Sequence, residues 1–174
     1  MPTKFATRLA VNIQKSYHIC YMLETPHVAL GAAIAVKVGN PALSIPLSLA
    51  SHFLLDRVPH WNPHLYTETQ KFGVPSRKST IIGAIDIGLS LILGFGIAAT
   101  VLPDKVMAGT IVACSLASVL PDVIKYPYYY FKARYKPLVR WVKFERKMQV
   151  DTSFWPGVMT QLLVVLTSLW WIAN

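Results

Sequence analysis

The stretch SHFLLDRVPHWNPH, residues 51–64, ends a hydrophobic segment with three of the chain's five histidines and an aspartate. His52 and Asp56 are four residues apart, which places them one turn from each other on the same face of a helix. His60 follows shortly afterwards, beyond a proline. Imidazole and carboxylate are the side chains that bind zinc and related divalent ions. This stretch therefore predicts one wall of a metal site.

Three more candidate ligands lie in other hydrophobic segments. His27 opens the first segment, Asp86 lies about seven residues inside the third, and Asp122 ends the fourth. An aspartate at that depth, roughly 10 Å, costs about 2.5 to 3.5 kcal/mol on insertion scales, and the third and fourth segments hold no lysine or arginine placed to neutralise it. Asp86 is therefore expected to find its partner elsewhere in the chain, and a shared metal ion would be such a partner.

The predicted ligand set thus comes from four segments: His27, His52, Asp56, His60, Asp86 and Asp122. Three carboxylates would balance two divalent ions and a bridging hydroxide, so one or two ions are expected, with zinc the favoured metal. Each residue also has a structural alternative, such as a helix-end histidine or a hydrogen-bonded core pair. Glu145 is a candidate catalytic group, with pairing to an arginine of its loop as the alternative.

The composition indicates the kind of protein that positions these residues. The chain has 174 residues, of which 53% are hydrophobic and only 14% are charged, which is typical of an integral membrane protein. Its 17 lysines and arginines outnumber the 8 acidic residues, an excess that cytoplasmic loops explain without nucleic acid. The two cysteines predict neither a disulfide framework nor a cysteine zinc site.

Hydrophobic segments predict an all-α, polytopic membrane helical bundle with about five membrane segments. Three of them are near the ~20 residues that cross a bilayer: residues 79–102, 105–124 and 154–173. The first two, 26–38 and 42–58, are shorter and either cross a thinned bilayer or form a re-entrant hairpin. Thr25 is the expected N-cap of the first segment. An amphipathic helix lying in the membrane interface is predicted from Pro137 onward.

The basic residues predict the orientation of this bundle. With five segments, 15 of the 17 lysines and arginines lie on one side, which makes the N-terminus cytoplasmic and the C-terminus external. The expected location is the inner, cytoplasmic membrane of a cell, with all the candidate ligands at its cytoplasmic side. Residues 1–24 form a basic segment, interfacial or preceding a true start at Met22, and residues 25–174 form one membrane-embedded domain.

Three short motifs add a resemblance to known families. TPH with His27 and LPD with Asp122 resemble the motifs of bacterial membrane-bound metal-dependent hydrolases. HFLLDRVPH resembles the His-x-x-x-Asp element of zinc-dependent phospholipases C and nucleases, which implies zinc-ligand roles for His52, Asp56 and His60. The resemblance implies hydrolysis at a metal-bound water.

Taken together, these observations predict a membrane-embedded metal-dependent hydrolase acting on a phosphoester or lipid-like substrate at the cytoplasmic interface. Membrane lipid is the expected partner, and an anionic lipid headgroup would be attracted by basic residues, namely Arg57, Arg77, Lys78 and Lys125. Two alternatives stay open: an ion- or proton-handling transport protein, and a non-catalytic membrane scaffold. The chain has no P-loop, GxGxxG, GxSxG or HExxH element, so nucleotide, serine-hydrolase and metalloprotease chemistry are not predicted.

Overall fold

A computed structural model describes residues 22–61 and 63–174. The basic segment predicted at the N-terminus therefore lies almost wholly outside the described residues. Within them, the chain forms helices α1 (Glu24–Val38), α2 (Pro41–Leu55), α3 (Leu65–Phe72), α4 (Arg77–Thr100), α5 (Lys105–Val123), α6 (Tyr126–Tyr130), α7 (Lys136–Met148) and α8 (Phe154–Ala173). The described part of the chain has no β-strand beyond one isolated bridge, between His60 and Asp151. The all-α prediction is confirmed.

Within residues 22–61 and 63–174, three helices are long and apolar enough to cross a membrane: Arg77–Thr100, Phe154–Ala173, and the run Lys105–Tyr130 that joins α5 to α6. They are the three long segments predicted from the sequence. Their outer faces expose large hydrophobic side chains, such as Ile92 and Leu163, as a lipid-facing surface would. The shorter α1 and α2 have 15 residues each, about 22 Å of helix. Of the roughly five predicted membrane segments, three therefore have helices long enough to cross a membrane.

Helix α1 lies at the centre of the bundle, where it packs against α2, α4, α5 and α8. Small side chains allow this close packing, and its alanines are almost completely buried. A Cβ atom built on Gly31 would lie only 2.8 Å from the carbonyl oxygen of Cys114 and from Ser118 Oγ on α5. The first apolar segment is thus an inner helix, surrounded by protein on several sides.

A tight turn makes α1 and α2 a helical hairpin. Gly39 adopts a φ of 71°, a left-handed conformation that glycine takes with little strain. The side chain of Asn40 then accepts a hydrogen bond from the Ala42 N–H and caps α2, and Pro41 occupies its first turn. The hairpin returns the chain to the end where α1 began, which brings the end of α2 beside the start of α1.

The amphipathic helix predicted from Pro137 is present as α7. Leu138, Val142 and Glu145 are buried, whereas Arg140 and Lys143 are exposed. Trp141 Nε1 donates a hydrogen bond to the carbonyl oxygen of residue 121, near the end of α5. Helix α7 therefore covers the end of the bundle at which the predicted ligands were expected.

Candidate metal centre

Four of the predicted ligands meet at one end of the bundle. His27 comes from the first turn of α1, His52 and Asp56 from the end of α2, and Asp122 from the end of α5. The first three are fully buried and Asp122 is 5% exposed. One ligand atom each from His27, His52 and Asp122 can be chosen so that all three lie within 4.8 Å of one another. The hairpin and the adjacent α5 thus bring together four of the six residues that the sequence predicted as ligands.

The separations within the cluster are those of atoms that surround a common point. His52 Nε2 lies 3.4 Å from Asp56 Oδ2 and 3.9 Å from Asp122 Oδ1, and His27 Nε2 lies 3.7 Å from Asp56 Oδ1. These distances exceed those of ordinary hydrogen bonds, about 2.7 to 3.2 Å. Two ligands about 2.1 Å from a tetrahedral zinc ion are roughly 3.4 Å apart. These three separations are therefore close to the spacing of ligands around one ion.

Several polar atoms of the cluster are buried without a hydrogen-bond partner among the described residues. Both ring nitrogens of His27, Nε2 of His52 and both carboxylate oxygens of Asp56 are buried without a hydrogen-bond partner among the described residues. Native proteins pair the large majority of buried polar atoms. These unpaired atoms could bind a metal ion together.

A backbone contact sets the tautomer of His52. Its Nδ1 lies 2.8 Å from the carbonyl oxygen of Ser118 on α5, and because a carbonyl oxygen can only accept, Nδ1 must carry the proton. Nε2 therefore presents its lone pair to the cluster. The ring also stacks on His27, with centroids 4.2 Å apart and planes inclined by 23°. Metal-binding histidines are commonly oriented by such a second hydrogen bond.

His60 has the same arrangement, although it is not in the group of mutually close ligand atoms. Its Nδ1 donates to the carbonyl oxygen of Val58 at 2.7 Å, and Nε2 is buried without a hydrogen-bond partner in the described ranges. Burial lowers the pKa of His60, which keeps the ring neutral. Its backbone is held by Val150 and Thr152, in the segment between α7 and α8. A ligand role for His60 stays a prediction.

Asp86 occupies a different place from the one predicted. Its carboxylate accepts hydrogen bonds from the N–H groups of Glu24 and Thr25, at 2.5 and 3.3 Å, and from Thr25 Oγ1 at 2.6 Å. Helix α1 begins at Glu24, so Leu23 takes the N-cap position that was predicted for Thr25, and Leu23 has no side chain able to cap. Asp86 on α4 caps α1 from outside, which explains its burial without an ion.

Lys125 was predicted to attract a lipid headgroup, but it does not lie on the open surface as Arg57 does, so that role stays a prediction. Only 2% of it is exposed, and its ammonium group forms ion pairs with Asp122 and with Glu145. Glu145 is fully buried and pairs with this lysine, in place of the loop arginine that was the alternative from the sequence. Arg57, Arg77 and Lys78 are exposed, as the headgroup prediction requires.

The buried position of the pair formed by Lys125 and Glu145 changes the pKa of the carboxyl group. Burial raises the pKa of the Glu145 carboxyl to about 7, even though the neighbouring ammonium acts in the opposite direction. The sequence offered one signal for this lysine, because it follows Asp122 by three residues and shares a helical face with it. The sequence did not indicate that Glu145, on α7, would pack against Lys125 and Asp122.

A cavity of about 330 Å³ lies beside the cluster, with Asp122 and Lys125 in its wall. The other wall residues come from the start of α1, the start of α3, the first half of α4, and α6. The volume is at the lower end of the range for small-molecule sites. Asp122 thus contacts both the cluster and a space that a substrate could occupy.

Comparison of the chain with protein-family models, with curated proteins and with solved structures finds no match. The resemblance of the TPH, LPD and HFLLDRVPH motifs to metal-dependent hydrolases therefore stays a prediction.

Proposed function

We propose that this chain is a membrane-embedded hydrolase that uses a divalent metal ion, with zinc the expected metal, to cleave a phosphoester or similar bond. The observation that carries the proposal is the buried group of His27, His52, Asp56 and Asp122. Ligand atoms of the two histidines and Asp122 lie within 4.8 Å of one another, and the Asp56 carboxylate lies 3.7 and 3.4 Å from Nε2 of the two rings. Both Nε2 atoms and both oxygens of Asp56 have no hydrogen-bond partner among the described residues. A polar group buried in this way costs roughly 1 to 3 kcal/mol if nothing compensates it. A bound cation removes that cost.

The charge around the cluster supports a cation as well. Three carboxylates, those of Asp56, Asp122 and Glu145, are buried there together, and Lys125 supplies one positive charge to the last two. The nearby imidazoles are neutral ligands when they bind metal. Buried charges of one sign are stable only when they are paired or coordinate a metal. One divalent ion would offset the remaining negative charge.

Some residues of the site would bind the metal ion, and others orient those ligands or exchange a proton. A bound divalent ion would lower the pKa of a water molecule and polarise the scissile group. Ser118 orients His52 through its carbonyl oxygen, and Lys125 holds Asp122 in place. Glu145 has a pKa of about 7, suited to accepting or releasing a proton near neutral pH, and connects to the site through Lys125.

We place the site at the cytoplasmic side of an inner membrane, with the C-terminus outside. The excess of lysine and arginine on this side of the chain supports that orientation. The hairpin of α1 and α2 returns to its starting side, so the three long helices give an odd number of crossings.

The first experiment measures metal in the purified protein. Wild-type protein reconstituted with zinc and then dialysed should retain one or two equivalents by elemental analysis, and His52→Ala should lose most of it. His64→Ala is the matched control, because this half-buried histidine lies outside the cluster. Wild-type protein that retains no divalent ion, or His52→Ala that retains as much as His64→Ala, would refute the metal site.

A second experiment tests hydrolysis separately from binding. Turnover of a soluble phosphodiester such as bis(p-nitrophenyl) phosphate should require the metal and should stop on chelation. Wild-type protein that binds zinc but cleaves no phosphoester, in detergent or in vesicles, would contradict the hydrolase and favour the ion-handling alternative.

A further inference from the structure

We infer that the cavity beside the cluster binds one membrane lipid whose polar end carries a hydrogen-bond donor, a hydroxyl or an ammonium group. The inference deepens the proposed function and rests on it in one respect, since the lipid is the substrate only if the cluster is catalytic. The binding itself follows from three features of the cavity: its apolar walls, its position against lipid-facing helices, and one buried carboxylate oxygen.

The walls suit a hydrocarbon chain. Leu23, Leu65 and Ile87 contribute aliphatic side chains, and several tyrosines contribute rings. Gly83 leaves extra room on the α4 side, because a Cβ atom built there would meet no atom within 4 Å. Burial of apolar ligand surface against such walls is favourable in proportion to its area. A fully polar ligand would gain little from most of this surface.

The cavity lies where a lipid could enter from the side. Two of its walls belong to candidate membrane spans, Arg77–Thr100 and Lys105–Tyr130. Tyr130 lines the cavity and also remains 38% exposed on the outer surface. Ile85, next to the wall on α4, is 58% exposed. The cavity therefore adjoins the surface that faces hydrocarbon, and a chain could reach it without crossing water.

The polar end of the cavity has an oxygen atom without a hydrogen-bond donor among the described residues. Glu24 lines it, and its Oε1 accepts a hydrogen bond from the Tyr126 hydroxyl at 3.3 Å. Oε2 is buried and has no hydrogen-bond partner within the described ranges. Glu24 is not in the group of mutually close metal-ligand atoms, so the cluster ion does not account for it. Burial raises the pKa of Glu24, so its ionised form needs a donor beside Oε2 to stabilise it. The oxygens of that form only accept hydrogen bonds, and an N–H or O–H group of the occupant would supply the missing partner.

Phospholipids provide a matched set of probes. Phosphatidylethanolamine carries an ammonium donor and phosphatidylglycerol carries hydroxyls, whereas the headgroup of phosphatidylcholine has no donor. The protein, with its full chain and bound metal, is placed in nanodiscs of phosphatidylcholine that contain a minor fraction of one of the other two. Native mass spectrometry then identifies the lipid retained after release from the nanodisc.

The wild-type protein should retain phosphatidylethanolamine or phosphatidylglycerol in preference to phosphatidylcholine. Glu24→Gln replaces an acceptor oxygen with a donor amide and should reduce that preference by about tenfold. Gly83→Trp should exclude the lipid by filling the cavity, and Ala84→Phe provides a second filling variant. Gly96→Trp is the matched control, because this glycine lies on the same helix, away from the cavity, with open space around it.

Metal content measured on the same samples separates this inference from the proposed function. Lipid retention in Gly83→Trp and Ala84→Phe equal to that in Gly96→Trp would overturn the cavity as the binding site. Equal retention of phosphatidylcholine and the donor lipids would overturn the role of Glu24. Selective lipid binding in protein that holds no metal would support the cavity while refuting the metal-dependent hydrolase.

Discussion

Substitution of Asp86 distinguishes its capping role from the ligand role that the sequence predicted. Asp86→Ala removes two short hydrogen bonds, to the Glu24 N–H and to Thr25 Oγ1, and one longer one to the Thr25 N–H. Each short bond to a charged acceptor contributes roughly 1.5 to 3 kcal/mol, about 3 to 6 kcal/mol together. Removing the carboxylate also removes its cost of burial, about 2.5 to 3.5 kcal/mol on insertion scales. The net loss of stability should lie between about 0 and 3.5 kcal/mol, near 1.5 kcal/mol at the middle of both ranges.

The assay is unfolding by denaturant in detergent micelles with a chelator present, so that metal binding does not contribute to the free energy of unfolding. Asp86→Asn should lose less than Asp86→Ala, because its amide oxygen still accepts one hydrogen bond. Elemental analysis of both variants, after reconstitution with metal, should show the wild-type metal content. A variant that keeps its stability in chelator but loses metal as His52→Ala does would refute the capping assignment and restore Asp86 as a ligand.

Three further predictions follow from the packing and charges around the cluster. Lys125→Met should lower the free energy of unfolding by about 3 to 5 kcal/mol, because it leaves the carboxylates of Asp122 and Glu145 buried without their ammonium partner. Lys125→Arg keeps the positive charge and should lower it less. Equal losses for the two variants in chemical denaturation would contradict the charge argument. Because burial raises the pKa of Glu145 from 4.5 to about 7, the folded chain holds a proton that the unfolded chain releases. The free energy of unfolding should therefore fall as the pH rises from about 4.5 to about 7, and Glu145→Gln should flatten that interval in a pH series; an unchanged slope would exclude this carboxyl as its source. Gly31→Ala should lower the free energy of unfolding by about 1 to 3 kcal/mol, since its Cβ would lie 2.8 Å from two atoms of α5. Gly109→Ala is the control, because this glycine has open space around it, and it should be neutral or stabilising. Thermal unfolding of the two variants makes the comparison.

Much of the candidate site could be predicted because membrane helices follow simple length and charge rules. Hydrophobic runs of about 20 residues predicted α4, α5 and α8 nearly to their ends. The turn at residues 39–41 predicted that the second segment returns to the side where the first began. His27, His52, Asp56 and Asp122 were thereby placed at one end of the bundle, and the structure brings them together there.

Local pattern and chain length were enough to predict the helical class, the three long apolar helices and the end of the bundle at which the polar residues gather. The partners that come from distant segments became known only from the folded arrangement of the helices. Asp86 caps α1 because the start of that helix packs against α4, and Lys125 is buried because α7 places Glu145 over it. His52 presents Nε2 because a carbonyl oxygen of α5 takes its other nitrogen. Hydrogen bonds and ion pairs between distant segments depend on separations of a few ångströms, and spacing along the chain carries no information about them.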